Sequence, residues 1–293
     1  MMRVALLFPP GTDPRSPHLA FPYLAAVLRG AGVTTDMYDL DIDGVVGLLE
    51  PELIEAAGRK VRDLGVSGDA RLAHLASVLP ERAPLALEVF RDPAQFYDPN
   101  RFNAARETIY DCLDLHSVAT GGVGYNISPI RFDVDGVDQQ KLDDLIRVTA
   151  DDRVNLWAHL WERDVYGRLE DPRPDLVGIT ITNRQQVVPG LILARRLRER
   201  GHFVVLGGTV YTKFVRELSQ RPAFLEHFAD AIVVYEGETA LLELVHQVAN
   251  GRDFSKVPNL LWLEGGRVRV GPTHLEDVAA LPTPDFEGLP LAR

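Results

Sequence analysis

The chain holds one cysteine in 293 residues, Cys112, which excludes an internal disulfide and any all-cysteine metal site within it. Positive charge is also scarce: 42 acidic side chains against 31 basic ones leave a formal net charge of -11. That balance argues against nucleic acid or an anionic membrane as a partner held by general electrostatics. No apolar run reaches the roughly 18 residues that a membrane span needs. The opening MMRVALLFPPGTD has one arginine and too short an apolar stretch for a secretory signal, so it reads as a first strand. Nucleotide-loop signatures are missing too. There is no Gly-x-x-x-x-Gly-Lys-Ser/Thr loop, and Pro-Pro-Gly-Thr stands where Gly-x-Gly-x-x-Gly would follow the first strand. No Gly-x-Ser-x-Gly elbow marks a hydrolase. The expectation is a soluble, cytoplasmic protein, 46% hydrophobic and long enough for a sizeable core.

What is present is a strand–helix alternation, interrupted once. RVALLF (Arg3–Phe8) is the continuous apolar run of a strand buried on both faces. Leu19, Tyr23, Leu24, Val27 and Leu28 then recur at helical spacing, and VTTDMYDLD follows as a second strand, completing a βαβ unit. The alternation resumes at Leu176 with PDLVGITITN, HFVVLGGTVYT and DAIVVYEGET, three buried strands separated and followed by helical stretches. NLLWLEGGRVRVGP reads as a β-hairpin around Gly265-Gly266, and DVAALPTPDFEGLPLAR as an extended, Pro-rich linker. The fold class is α/β: a Rossmann-like open parallel sheet with helices on both faces, plus a mainly helical insertion and a C-terminal β-hairpin. The expected boundaries are 1–43 and 172–252 for the Rossmann-like domain, 44–171 for the insertion, and 253–293 for hairpin and linker. Within the insertion, TGGVGYNISPIRFDVDG reads as a long loop with one short strand. Its aromatics Phe96, Tyr97, Phe102, Tyr110, Trp157 and Trp161 either cap the sheet near its carboxyl edge or fill the insertion's own core. Arg195, Arg196, Arg198 and Arg200 read as a solvated helix face.

In an open parallel sheet the ligand crevice lies at the carboxyl ends of the strands. The candidate cofactor-binding residues are therefore Pro10, Gly11, Thr12 and His18 after the first strand, and Thr180, Thr182 and Asn183 after the third. Gly207, Gly208, Thr209 and Tyr211 follow the fourth strand, and Glu236, Gly237 and Glu238 the fifth. A Gly-Gly pair there lets a bulky group pass close to the backbone, and Gly208→Val is expected to abolish binding while leaving the fold intact. Plainer readings stand beside these: a tight turn for the glycines, ordinary strand residues for the threonines, and a dipole-favoured helix start for the two glutamates. No catalytic residue and no metal ligand is assigned. Gly121-Gly122-Val123-Gly124 reads as a flexible loop and Cys112 as a buried helix residue. His159 with Glu162, and His116 with Asp111 and Asp114, read as packing or surface residues rather than metal ligands.

Taken as an ordered set, FPPGTDPRSPHLAFPYLAAVLRGAG, PDLVGITITN, VVLGGT, DAIVVYEGET, NLLWLEGGRVRV and LPTPDFEGLPL resemble the amino-terminal half of cobalamin-binding radical S-adenosylmethionine (SAM) enzymes, class B methyltransferases among them. The resemblance covers both ends of the chain and leaves the insertion unaccounted for. It implies a domain that holds cobalamin, and hence cobalt, over its sheet, with a radical SAM barrel as partner in cis or in trans. In that family the barrel carries a Cys-x-x-x-Cys-x-x-Cys cluster motif, which this chain lacks, so the resemblance implies a module that is not catalytic alone. It reads as a segment of a longer enzyme or one half of a split system. Thr180 matches the Ser of the Ser-x-Leu motif of methionine-synthase-like cobalamin domains, and Gly207-Gly208 their Gly-Gly. Their Asp-x-His-x-x-Gly, whose His ligates cobalt, is replaced by Asp13-Pro-Arg-Ser-Pro-His18. Base-off binding without a His ligand is the expectation. A degenerate, cofactor-free scaffold that binds a partner, and a flavodoxin-like domain for another nucleotide, are the alternatives.

Overall fold

The structure is a computed structural model that describes residues 2–64 and 70–291. Positions 65–69 of the expected insertion and 292–293 of the expected linker lie outside the described residues. Among the described residues the strands are β1 (Arg3–Phe8), β2 (Thr34–Asp39), β3 (Val123–Ile127), β4 (Ile130–Val134), β5 (Leu176–Thr180), β6 (Val204–Gly207), β7 (Ala231–Val233), β8 (Leu260–Glu264) and β9 (Arg267–Val270). Seven of them form one sheet in the order β2-β1-β5-β6-β7-β8-β9. Pairing is parallel from β2 to β7, and antiparallel where the β8–β9 hairpin joins the far edge. Both glycines of the hairpin turn, Gly265 and Gly266, have positive φ (58° and 73°), as a two-residue turn of matching twist requires. The chain steps from β1 out to β2 and returns on the other side of β1 to β5. The switch point of this doubly wound sheet thus lies between β1 and β5.

Period-two alternation divides the strands between two cores. Ala5, Leu7, Val177, Ile179, Val204, Leu206 and Ile232 point into the larger core, filled by helix Val187–Glu199 and by most of the region between β2 and β5. Val4, Leu6, Phe8, Leu176, Val205, Ala231 and Val233 point to the other face, covered by helices Ala20–Gly30 and Glu238–Ala249. The Rossmann-like α/β class read from the sequence is the observed one.

The region between β2 and β5 is mainly helical: Leu40–Leu48, Pro51–Asp63, Ala70–Arg91, Pro99–Thr120 and Leu142–Thr149, then a run from 158 to 170 with one π-wound turn. The expected single short strand is instead a two-stranded hairpin, β3–β4, whose Val123, Tyr125 and Phe132 point inward. Flanking glycines and a proline masked its alternation. Trp157 stacks on Phe132 and Trp161 and meets Tyr125 edge-on. This group sits on helix Leu40–Leu48 because that helix carries glycine where it is touched. A Cβ on Gly44 would lie 2.8 Å from Trp157 Nε1, and one on Gly47 2.6 Å from Leu160. Phe96, Tyr97 and Phe102 form a separate cluster with Phe90. Trp157 and Trp161 thus help fill the core of this region, whereas Phe96 and Tyr97 stay exposed, and none of the six lines the cleft at the sheet's carboxyl edge.

The basic run on helix Val187–Glu199 and just beyond it is not a simple solvated face. Arg195 reaches Ile146 O, and Arg196 pairs with Asp152 and Glu199. Arg198 donates to Leu225 O and pairs with Asp230, while Arg200 pairs with Glu162 and lies over the Tyr166 ring. The sheet-side face of the helix is apolar, so its long cations reach sideways and tie the neighbouring helices down. Individually such exposed pairs contribute about 0–1 kcal/mol.

Because the larger core is shared between the sheet and the region 44–171, deleting that region would uncover Ala5, Leu7, Val177, Ile179 and Leu206. The shortened chain is expected to aggregate on purification. A soluble variant with one cooperative melting transition would show that the region is an independent module.

Candidate functional site

A cleft of about 250 Å³ opens at the carboxyl ends of β1, β5, β6 and β7, between the sheet and helices Ala20–Gly30 and Glu238–Ala249. Its floor is Leu6, Gly178, Thr180, Val205, Gly207 and Val233. These residues alternate along their strands and so project on one face, and Thr180 stands beside Gly207 in register. Two adjacent strands thus offer small side chains at the same level, and a slot remains where branched residues would have closed the face. Leu24 and Leu241 wall it, while His18, Thr182, Thr209, Tyr235, Glu236, Gly237 and Glu238 surround its mouth. The cleft thus brings together nine of the candidate residues: His18, Thr180, Thr182, Gly207, Gly208, Thr209, Glu236, Gly237 and Glu238.

The two glycines of the pair do different things. A Cβ on Gly207 would meet only Val233 O, at 3.8 Å, an ordinary contact, so the missing side chain there is space in the cleft. Gly208 has φ 108°, and a Cβ on it would lie 2.2 Å from Ile181 O. Its glycine is demanded by the chain's own backbone. Gly208→Val would therefore damage the fold, contrary to the expectation from sequence. Gly11 repeats the case: φ is 118°, and a Cβ would lie 2.7 Å from Gln185 O.

Much of the remaining polar chemistry is spent on loop geometry. Gln186, fully buried, accepts from Thr182 N and Oγ1 at 2.8 and 2.9 Å and donates to Pro9 O at 2.7 Å. Asn183 caps the 3-10 turn Arg184–Gln186. Thr209 Oγ1 donates to Thr182 O at 2.7 Å. Gly11 N and Thr12 N donate to the buried Asp41, and the Thr12 hydroxyl donates to its second oxygen. Pro10 packs toward Gly44, on the other face. Tyr211 is buried in the larger core, edge-on to Phe224. Pro10, Gly11, Thr12, Asn183 and Tyr211 are accordingly not brought to the cleft.

At the mouth, His18 stacks on Phe8 at 4.9 Å, and its Nδ1 accepts the Ala20 N–H at 3.2 Å. Burial lowers its pKa, so the ring stays neutral with its hydrogen on Nε2. Glu236 accepts Glu276 N at 2.6 Å, and burial raises the pKa of Glu238. Two residues that the sequence reading missed belong here. Gly178 had a signal, since a glycine inside a buried strand marks a close approach. Tyr235 had none: it is 45% exposed and has φ 58°, a conformation that costs a bulky side chain about 1–2 kcal/mol.

The Cys112 thiol is pushed up to about 12 by burial. His116, pushed down to about 4 by burial, bonds Leu48 O, while Asp111 and Asp114 pair with Arg71. No group of three or more His, Cys, Asp or Glu among the described residues could hold a metal ion. No helix among them is long and apolar enough to cross a membrane. A second concavity of about 300 Å³, between helix Leu40–Leu48 and the run 158–170, contains none of the candidate residues; its Arg163 is held by Glu50 and Asp164.

No protein-family model matches the chain. An uncharacterized methyltransferase of Pyrococcus horikoshii is 34% identical over 122 residues, which are 40% of this chain and 26% of that protein. Among solved structures, the radical SAM methyltransferase TsrM of Kitasatospora setae, with tryptophan and a SAM analogue bound, overlays 93% of this chain with 30% of its own. Identity there is 15% and the TM-score 0.45. OxsB, a cobalamin-dependent SAM radical enzyme with aqua-cobalamin and SAM bound, overlays 97% of this chain with 24% of its own, at 13% identity and a TM-score of 0.46. The chain spans about a third or less of the length of these proteins.

The first loop rests on an acidic pair whose charge state depends on pH. Asp39 caps helix Leu40–Leu48 by accepting from Asp41 N and Ile42 N. Burial, then the neighbouring Asp41, push its carboxyl from 3.8 up to about 7. Between those values the folded state keeps a proton that the unfolded chain has lost, so stability falls as pH rises through that window. Asp39→Asn keeps the cap and removes the charge. In denaturant unfolding from pH 4 to pH 8, Asp39 is expected to remove at most about 4 kcal/mol from wild type, a loss that the variant lacks. Equal pH slopes would remove Asp39 as the cause.

Proposed function

We propose that the chain binds cobalamin as the methyl-carrying module of a radical SAM methyltransferase. The observation that carries the reading is the slot over Thr180 and Gly207, open at the carboxyl edge of a parallel sheet and left without a side chain at Gly207. Its volume, about 250 Å³, suits a nucleotide tail and not a corrin, which would remain at the mouth. Thr180 lies on its floor and Thr182 at its mouth, and Leu24 and Leu241 wall it. Bound cobalamin supplies a transferable methyl group. The chain's part is to hold the tail, orient the macrocycle and control what approaches the metal. The stretch similar to an uncharacterized methyltransferase fits that role. On this reading 1–43 and 172–252 form the binding unit, and a radical SAM barrel in cis or in trans is the partner.

The test is a titration with hydroxocobalamin followed by visible absorbance. Wild type is expected to bind, Gly207→Ala to bind more weakly, and Gly207→Val to lose binding with its melting temperature little changed. A Gly207→Val protein with unchanged affinity would take the tail out of the slot. Binding of flavin mononucleotide and not of cobalamin would favour a flavodoxin-like role.

His18 offers cobalt no free lone pair, because Nδ1 is engaged by Ala20 N–H and Nε2 carries the hydrogen. Cobalamin is thus expected to bind base-off without histidine ligation. In electron paramagnetic resonance of bound cob(II)alamin, an axial nitrogen splits each cobalt line into three. A triplet that disappears in His18→Ala would make His18 the ligand.

A further inference from the structure

Three non-glycine residues among those described have positive φ: Tyr235, Arg252 and Asn259. Two have local reasons. Arg252 ends helix Glu238–Ala249, its N–H returning to Gln247 O at 2.7 Å. Asn259 is buried, and its side chain bonds His274 N, His274 O and Glu236 O. Tyr235 has neither excuse. Its backbone is pinned from both sides: Tyr235 N donates to Thr212 Oγ1 at 2.8 Å, and Val234 N and Glu236 O are both bonded to Asn259. The strained conformation is therefore imposed by the fold. Yet the ring gains little from it, being 45% exposed and stacked on no other ring among the described residues. Glycine or asparagine would meet the backbone requirement at lower cost. An aromatic held under strain, in solvent, at the mouth of a cleft is a contact surface lacking its counterpart.

We infer that Tyr235 is a ligand-positioning residue whose ring packs against the flat, conjugated part of the cofactor, outside the slot that takes the tail. The inference rests on the cobalamin reading and assigns this side chain to the macrocycle. Its role is separable from that of Gly207, because one residue meets the macrocycle and the other the tail.

The experiment titrates wild type, Tyr235→Asn, Tyr235→Phe and Gly207→Val with hydroxocobalamin and with cobinamide, which lacks the nucleotide tail, and melts each protein without ligand. Tyr235→Asn is expected to melt higher than wild type, since asparagine tolerates the left-handed backbone. It is expected to bind both corrinoids about tenfold more weakly, the loss of one aromatic contact. Tyr235→Phe should match wild type in both. Gly207→Val should lose cobalamin and keep cobinamide. Unchanged corrinoid affinity in Tyr235→Asn, or a loss confined to cobalamin, overturns the inference and leaves the cobalamin reading standing. So does a Tyr235→Asn protein that melts no higher, or a wild type that binds cobalamin but not cobinamide. A wild type that binds neither corrinoid overturns that reading, and this inference with it.

Discussion

The carboxyl edge of the sheet is organised by one buried amide. Gln186 takes the Thr182 N–H and hydroxyl on its oxygen and gives its N–H to Pro9 O, joining the loops after β1 and β5 across the switch point. Losing it would leave buried backbone groups unpaired, at about 1–3 kcal/mol each. Once those loops are joined, the backbone at Gln185 lies where a Cβ on Gly11 would stand, and Ile181 O where a Cβ on Gly208 would stand. Three successive loops are stacked main chain on main chain. Glycine at positions 11 and 208 follows from that stacking, with no ligand needed to explain it.

This changes what a glycine pair after a strand means. Gly207 and Gly208 are adjacent and of one type, so no sequence argument separates them. The pleat separates them: Gly207 continues the alternation of Val205 onto the slot face, whereas Gly208 has already left the strand and turned onto Ile181. The space for a ligand comes from Gly207 together with Gly178 and Thr180. Gly178 was legible as an interior strand glycine, but only register shows that it shares a face with its neighbours.

The parallel sheet was legible because strands buried on both faces are almost purely apolar, as in RVALLF and HFVVL. The β3–β4 hairpin was not, since only three of its ten residues are buried and glycines bracket it. The arginines after position 194 were misread for a related reason. Their charge predicts contact with water, but their length lets the guanidinium reach a carboxylate or carbonyl on the next helix while the stem stays packed. Tyr235 was invisible, because nothing local in DAIVVYEGET requires a left-handed residue. The requirement comes from Thr212 and Asn259, far along the chain.

The two faces of the sheet also differ in what holds their helices. On the larger core, apolar packing does the holding, with the Trp157 cluster seated on helix Leu40–Leu48 and arginines bridging the helices. Around the slot, the final segment contributes: Glu276 accepts from Thr239 N and Oγ1 at the start of one helix, and Asp285 pairs with Arg29 and bonds Pro22 O on the other. A segment read from sequence as an extended linker thus crosses both helices that wall the cleft. Such polar ties are individually weak, about 0.5–1.5 kcal/mol net for each hydrogen bond. Their effect is on spacing, since a slot floored by glycine and threonine would narrow if its two helices settled toward each other. The open slot is thus a property of the floor residues and of this strap together.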